Sequence, residues 1–125
     1  MTLAKADKFA SVGLAHSDRR EAMKLYRWNQ IPEEQVNSLA SRQMIHTQTM
    51  SIVRRHLSKG AVTLLHQHAD EQISMVEHGK LKFLVCGEQE IVAAGEAFVI
   101  SSNAPHSVEA LEDTVVMDLF SAPRP

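Results

Sequence analysis

The chain has 125 residues, 44% hydrophobic and 22% charged, with a formal net charge of −2 and a single cysteine, Cys86. These values predict one globular domain without a disulfide framework, and the longest basic runs are pairs, so no nucleic-acid partner is expected. No apolar stretch reaches the roughly 20 residues that cross a bilayer, and residues 1–9 lack the apolar core of a signal peptide, so we expect no membrane association and a cytoplasmic location.

The first 30 residues differ in pattern from the rest. Ser17 is a candidate N-cap for a short helix over 17–26, with acidic residues in the first turn, where the helix dipole favours them. The segment Ile31-Pro32-Glu33-Glu34 is typical of a turn. We therefore predict an N-terminal extension, residues 1–30, followed by the main domain, residues 31–125.

Short strand-like segments separated by turns follow in the main domain. They lie near 49–57, 61–68, 72–78, 80–86, 89–93, 96–101, 106–111 and 114–120. Gly60, Gly79, Gly87 and Gly95 fall between them, where a positive φ helps the chain to turn. No long helical pattern interrupts the series. Eight short strands at this spacing predict an all-β sandwich or barrel rather than a parallel α/β sheet.

A histidine pair lies in the second of these strands. Because side chains alternate in a strand, His66 and His68 project to the same side and could hold one metal ion together. Gln72, after a three-residue turn, offers a carbonyl oxygen as a third ligand. His106, directly after Pro105 at the start of a distant strand, is the candidate for the fourth. The alternative for an isolated H-x-H pair is a half-buried polar pair without a metal.

The last predicted strand carries a carboxylate among apolar residues. Asp118 lies between Met117 and Leu119, where a charge is costly to bury unless it is paired. If it faces the barrel interior, Asp118 could act as general acid or base beside a metal-bound substrate. The alternative is an ion pair with a core arginine such as Arg54 or Arg124.

These residues resemble the two motifs of the cupin family. The first, G-x5-H-x-H-x3–4-E-x6-G, is matched from Gly60 through His66, His68 and Gln72 to Gly79, with glutamine in the place of glutamate. The second, G-x5-P-x-G-x2-H-x3-N, is matched more loosely from Gly95 to His106, with Asn103 at a glycine position, where it tolerates the left-handed conformation.

The resemblance covers roughly residues 30–125 and implies a fold and a metal site. The fold is an RmlC-like cupin, a double-stranded β-helix or jelly-roll barrel, here with a short N-terminal extension. The implied cofactor is one divalent ion (Ni, Zn, Mn, Fe or Co) held by His66, His68, Gln72 and His106. By analogy with other small cupins, a homodimer is expected.

A narrower resemblance is to the small pectin-degradation cupins of the KdgF type. It depends on three segments: 71–74 (Glu-Gln-Ile-Ser), 103–106 (Asn-Ala-Pro-His) and 118–124 (Asp-Leu-Phe-Ser-Ala-Pro-Arg). Such enzymes convert unsaturated uronates into linear ketonic sugar acids. The resemblance implies that Asp118, Phe120 and Arg124 act with the metal, and an arginine suits a substrate carboxylate.

The expected function is therefore a metal-dependent enzyme that isomerises or ring-opens an unsaturated, carboxylated sugar. Gln72 in place of a carboxylate leaves the charge of the ion uncompensated, which favours Lewis-acid polarisation of a substrate over dioxygen activation. Two alternatives stay open: an Fe(II) cupin dioxygenase, and a non-catalytic cupin that binds a small molecule.

Overall fold

A computed structural model describes residues 22–121 of the chain, which divides between Gln30 and Ile31 into two units. In the first unit, residues 23–27 have no regular secondary structure and Trp28–Gln30 form a 3₁₀ turn. Residues 17–21 of the predicted helix lie outside the described residues, as does Arg124. Within 22–121, no helix has the length and apolar character that crossing a membrane requires.

The described part of the second unit contains ten strands in two antiparallel sheets. The strands are β1 (Glu34–Asn37), β2 (Ala40–His46), β3 (Ser51–Leu57), β4 (Val62–His66), β5 (Gln72–His78), β6 (Lys80–Val85), β7 (Glu88–Ala93), β8 (Ala97–Ile100), β9 (His106–Ala110) and β10 (Thr114–Phe120). One sheet has the order β1-β2-β3-β10-β5-β8 and the other β4-β9-β6-β7. The predicted all-β jelly-roll architecture is confirmed.

The core lies between the two sheets. The large sheet contributes alternate residues such as Val76 and Val116, and the small sheet contributes Leu81 and Phe83. This alternation is what a strand with one buried face requires. The Phe83 ring also packs against Phe98, with ring centroids 4.7 Å apart.

Strands β1 and β2 were not predicted from the sequence. Glu34, assigned to a turn, is the first residue of β1, in which all four residues are exposed. In β2 the single buried residue is the polar Gln43. These strands extend the large sheet by backbone pairing, β1 with β2 and β2 with β3. Neither has the apolar alternation by which a strand is recognised.

Strand β4 forms one edge of the small sheet and pairs with β9. All five of its residues are exposed, and its register with β9 is irregular between Thr63 and His66. Beyond the irregularity His66 lies directly opposite His106. An exposed edge strand and its inner neighbour therefore bring two distant histidines together.

Candidate metal centre

Three histidines converge at the end of β4 and the start of β9. The ring centroids of His66 and His106 are 4.2 Å apart, and those of His68 and His106 are 4.9 Å apart. One ring nitrogen from each of the three side chains lies within 4.8 Å of the others. The approach of His68 to the loop before β9 is fixed by Asn103, whose N–H donates to the His68 carbonyl at 2.7 Å. Asn103 has the expected left-handed conformation, with φ 61°.

The Nδ1 atom of each ring is close to a backbone carbonyl. The distances are 2.9 Å from His66 to Leu64 O, 2.9 Å from His68 to Asp70 O, and 2.8 Å from His106 to Ala104 O. Since a carbonyl oxygen can only accept, the proton of each neutral imidazole is on Nδ1 and the lone pair is on Nε2. Fixing one nitrogen in this way is how proteins orient metal-binding histidines.

The Nε2 atoms are available to bind a metal ion. Those of His68 and His106 are buried and have no hydrogen-bond partner among residues 22–121. A buried polar atom left unpaired costs about 1–3 kcal/mol. Two such atoms side by side therefore destabilise the folded state unless a ligand binds them. The three imidazoles therefore fit a divalent transition metal, for which neutral imidazole is a preferred ligand.

Electrostatics keep His106 in the state that binds metal. Burial, which penalises the imidazolium, lowers the pKa of His106, and the nearby His66 and His68 lower it further. The hydrogen bond to Ala104 and the charge of Asp118 act in the opposite direction but do not outweigh them. His106 consequently keeps its Nε2 lone pair to more acidic pH than an exposed histidine.

Gln72 lines the same cavity as His66 and His106. It is the first residue of β5 and 6% exposed, and its Nε2 donates to Ser74 Oγ at 2.9 Å. Among the described residues, nothing donates to its Oε1. The amide is therefore anchored at its nitrogen end, and the oxygen is the end left for a ligand.

Asp118 also faces the cavity, and it is paired there. The carboxylate is 5% exposed; Oδ2 accepts from Arg55 Nε at 2.8 Å, and Oδ1 accepts from Ser74 Oγ at 2.6 Å. Of the two arginines suggested by the sequence, Arg54 pairs instead with Glu77 at 2.9 Å, and Arg124 lies outside the described residues. Asp118 thus combines the two alternatives, lying at the site and in an ion pair.

The cavity beside these residues is small, with a volume of about 50 Å³. Its polar lining is formed by Arg55, Thr63, His66, Gln72, His106 and Asp118, and its apolar lining by Leu57, Leu81, Phe83, Val108, Val116 and Phe120. Phe120 lies edge-on to the His68 ring, 5.7 Å between centroids. There is room for an ion and one or two small ligand groups, since a water molecule takes about 30 Å³.

Two residues of this site, Arg55 and Ser74, were not predicted from the sequence. In β3, Val53 and Leu57 are buried in the core, so strand alternation turns Arg55 to the same side. Ser74 follows Gln72 by two residues and shares its face of β5. Alternation places both residues beside the cavity only once it is known which face of each strand is buried.

Comparison with known proteins relates the chain to one family. The cupin domain model (Cupin_2) matches residues 53–122. The pectin degradation protein KdgF of Dickeya dadantii (strain 3937) is 30% identical over 99 residues, which are 77% of this chain and 90% of that protein. The solved structure of KdgF from Halomonas sp. superposes with a TM-score of 0.76 at 30% identity, covering 82% of this chain and 96% of that one.

More distant structures agree in fold. An RmlC-like cupin from Shewanella frigidimarina NCIMB 400 gives a TM-score of 0.77 at 24% identity, covering 82% of this chain and 93% of that one. An oxalate decarboxylase (OxdC) mutant from Bacillus subtilis gives 0.69 at 18% identity, covering 80% of this chain and 30% of that one.

Proposed function

The chain belongs to the cupin family, and from that premise we propose that it is a metal-dependent enzyme acting on an unsaturated sugar acid. In this proposal His66, His68, Gln72 and His106 hold one divalent ion. The reaction is the isomerisation of an unsaturated uronate to its open-chain keto acid.

One observation supports the metal above all others. One ring nitrogen of each histidine lies within 4.8 Å of the others, and each Nδ1 is close to a backbone carbonyl. The Nε2 atoms of His68 and His106 are buried without a partner within 22–121. Imidazole and amide donors accept Mn, Fe, Co, Ni or Zn, and elemental analysis of the purified protein would identify the ion. When bound, it supplies Lewis-acid polarisation of a substrate oxygen.

The protein side chains supply proton transfer and shape. Opening the sugar ring takes a proton from the anomeric hydroxyl and breaks the bond from the anomeric carbon to the ring oxygen. The ring oxygen stays on its double-bonded carbon as an enol, and a proton is then added to the other carbon of that double bond to give the ketone. Asp118 lies on the cavity and is the candidate for both proton transfers. Since the product is an isomer of the substrate, no co-reactant is required. Phe120 forms a wall of the cavity beside His68.

The substrate class is supported by likeness to pectin degradation proteins. Arg124 is proposed to bind the substrate carboxylate, and Arg55 is a second cation on the cavity. Because the cavity has a volume of only about 50 Å³, we propose that only the reacting end of the sugar enters it.

The test is an assay of metal-loaded protein with unsaturated uronates, following the loss of absorbance of the conjugated enol ether. We expect turnover that disappears on chelation and returns with added metal. Asp118→Asn should reduce kcat by roughly 100-fold or more, within the usual range for losing a general acid–base. Glu71→Gln is the matched control, since Glu71 is exposed beside the ligand Gln72, and should leave kcat unchanged.

Two results would contradict this proposal, one for the role of Asp118 and one for the substrate class. Full activity of Asp118→Asn would remove Asp118 from the mechanism. Absence of turnover with every uronate, by protein that has bound metal, would reject the substrate class. Running the assay without oxygen separates the proposal from a dioxygenase, because isomerisation consumes none.

We also propose that the protein is a homodimer. An apolar groove on the outer side of the large sheet, lined by Met50, Ile73, Val99 and Leu119 among others, supports this. Val99 on the edge strand β8 is 60% exposed, and exposed apolar edges are surfaces that proteins usually cover. Light scattering should give twice the chain mass, and Val99→Lys should reduce it toward the monomer; a monomeric wild type would reject the dimer.

A further inference from the structure

A continuous line of hydrogen bonds crosses the large sheet beside the metal centre. Arg55 Nε donates to Asp118 Oδ2 at 2.8 Å, Ser74 Oγ donates to Asp118 Oδ1 at 2.6 Å, and Gln72 Nε2 donates to Ser74 Oγ at 2.9 Å. Register explains the line, because Ser74 lies directly opposite Asp118 and Gln72 opposite Phe120 on paired strands. Ser74 is fully buried and has no role in the function proposed above.

The direction of every bond in this line is dictated by its ends. A guanidinium can only donate, and the carboxylate paired with it can only accept. Ser74 has one hydroxyl proton and gives it to Asp118, so toward Gln72 its oxygen can only accept. The only part of the Gln72 amide that donates is the NH₂ group, which must therefore face Ser74.

This direction matters because the two ends of an amide are unequal toward a metal. The carbonyl oxygen carries lone pairs that can bind a cation, whereas the NH₂ group offers only protons. A glutamate at this position would have no such problem, since both of its oxygens can bind. The glutamine is a usable ligand only if its nitrogen end is held away from the ion.

We propose that Ser74 is the positioning residue that turns Gln72 Oε1 toward the metal, and that Asp118 sets the direction of its hydroxyl. The inference rests on the metal site of the proposed function but not on its substrate. Asp118 thereby acquires a role besides proton transfer, because its negative charge keeps the line of donors pointing one way.

Asp118→Asn should reverse that line. Arg55 still requires an acceptor, so the asparagine oxygen faces Arg55 and its NH₂ group faces Ser74. Ser74 then accepts from asparagine and has its proton free for Gln72, which must offer its oxygen. The NH₂ end is left for the ion. Keeping the oxygen on the ion instead leaves one buried hydroxyl unpaired, which should weaken metal binding roughly tenfold.

The experiment is a double-mutant cycle on Co(II) affinity, measured by calorimetry on the full chain after metal removal, with Co(II) absorption spectra as a second readout. Asp118→Asn should weaken Co(II) binding roughly fivefold or more beyond its effect in the Ser74→Ala background, where there is no hydroxyl to redirect. Loss of the negative charge alone would weaken binding by the same factor in both backgrounds, and that result would overturn the proposal.

A second comparison avoids any change at Asp118. Ser74→Ala should weaken Co(II) binding severalfold when Gln72 is present, and should have no effect in the Gln72→Glu background, because a carboxylate has no wrong end. Equal weakening in both backgrounds would also overturn the inference. Thermal melts of each variant establish that it is folded.

The outcomes separate this inference from the proposed function. If the wild type binds neither Co(II) nor Ni(II), the metal site and the inference both fall. If it binds Co(II) and the cycles show no coupling, only the inference falls. If coupling is present but no uronate is turned over, the inference stands and the substrate falls.

Discussion

Protonation of His106 should destabilise the metal-free protein. Burial lowers the pKa of this imidazole, whereas in the unfolded chain it titrates near its ordinary value of about 6.5. Above that pH the imidazole is neutral in both the folded and the unfolded state, and its ionisation does not reduce the free energy of unfolding. As the pH falls through 6.5 toward the lowered pKa, the unfolded state takes up a proton that the folded state refuses, so stability is lost.

Thermal melts of chelated protein between pH 7.5 and 5 would measure the effect. His106→Asn should flatten the decline, and His78→Gln, which changes an exposed histidine, should preserve it. A wild-type melting temperature that does not fall with acidification would contradict the prediction.

Arg55 should contribute more to stability than surface ion pairs do. Its removal leaves the carboxylate of Asp118 with Ser74 as its remaining partner among the described residues. For Arg55→Ala we expect a loss of about 2–3 kcal/mol, below the roughly 3–5 kcal/mol of a fully buried pair, because the arginine is 26% exposed. Chemical denaturation would measure it.

Lys82→Ala is the control for Arg55→Ala. Lys82 pairs with Glu109 at 3.3 Å, and both side chains are exposed, so the loss should be below about 1 kcal/mol. If Arg55→Ala and Lys82→Ala lost the same free energy of unfolding, the prediction would be wrong, because the buried Asp118 carboxylate would then not depend on Arg55.

Of the four turn glycines with positive φ, only Gly79, between β5 and β6, has other atoms within 4 Å of an added Cβ. Gly79 has φ +89°, and a Cβ there would lie 2.8 Å from Thr114 Cα at the start of β10. Gly79→Ala therefore combines a left-handed backbone with a backbone collision, and we expect a loss of about 2–4 kcal/mol in denaturation experiments.

Gly87→Ala isolates the first of these two effects. Gly87 has φ +83° with nothing within 4 Å of the position of an added Cβ, so its loss should be about 1 kcal/mol. If the two alanine variants were equally stable, the close approach of Thr114 to the turn would not be a real constraint.

Which elements the sequence predicts depends on what stabilises them. The eight strands from β3 to β10 alternate apolar residues or lie between turn glycines, and they occur where the pattern predicts. β1 and β2 are stabilised by pairing with a neighbour that lies farther along the chain. Their own residues do not record this pairing, and no local pattern would have found them.

The residues of the candidate site also differ in how far local sequence predicts them. His66 and His68 share a face by strand geometry, and His106 could be placed by its motif. The partners of Asp118 could not, because the choice of Arg55 over Arg54 depends on which face of β3 is buried. A one-residue difference in register decides it.

At the scale of the whole molecule, a bound ion should stabilise the fold. An ion that binds only the folded state adds RT ln(1 + [L]/Kd), about 4 kcal/mol at a free concentration 1,000 times Kd. Co(II) or Ni(II) should therefore raise the melting temperature, and chelation should reverse this. His68→Ala, which removes one of the three converging nitrogens, should melt at the same temperature with and without metal.

The position of the ligands in the small sheet indicates which strand a bound ion would stabilise most. Of the three histidines, His66 is the last residue of the edge strand β4, His68 follows it, and His106 begins β9, the strand that β4 pairs with. An ion bound by all three would link the edge strand β4 to the inner strand β9 by metal–ligand bonds in addition to their backbone hydrogen bonds. Without the ion, amide hydrogens of β4 should exchange with solvent before those of the inner strands. The availability of metal would then determine how often β4 detaches from the sheet and becomes accessible to proteases.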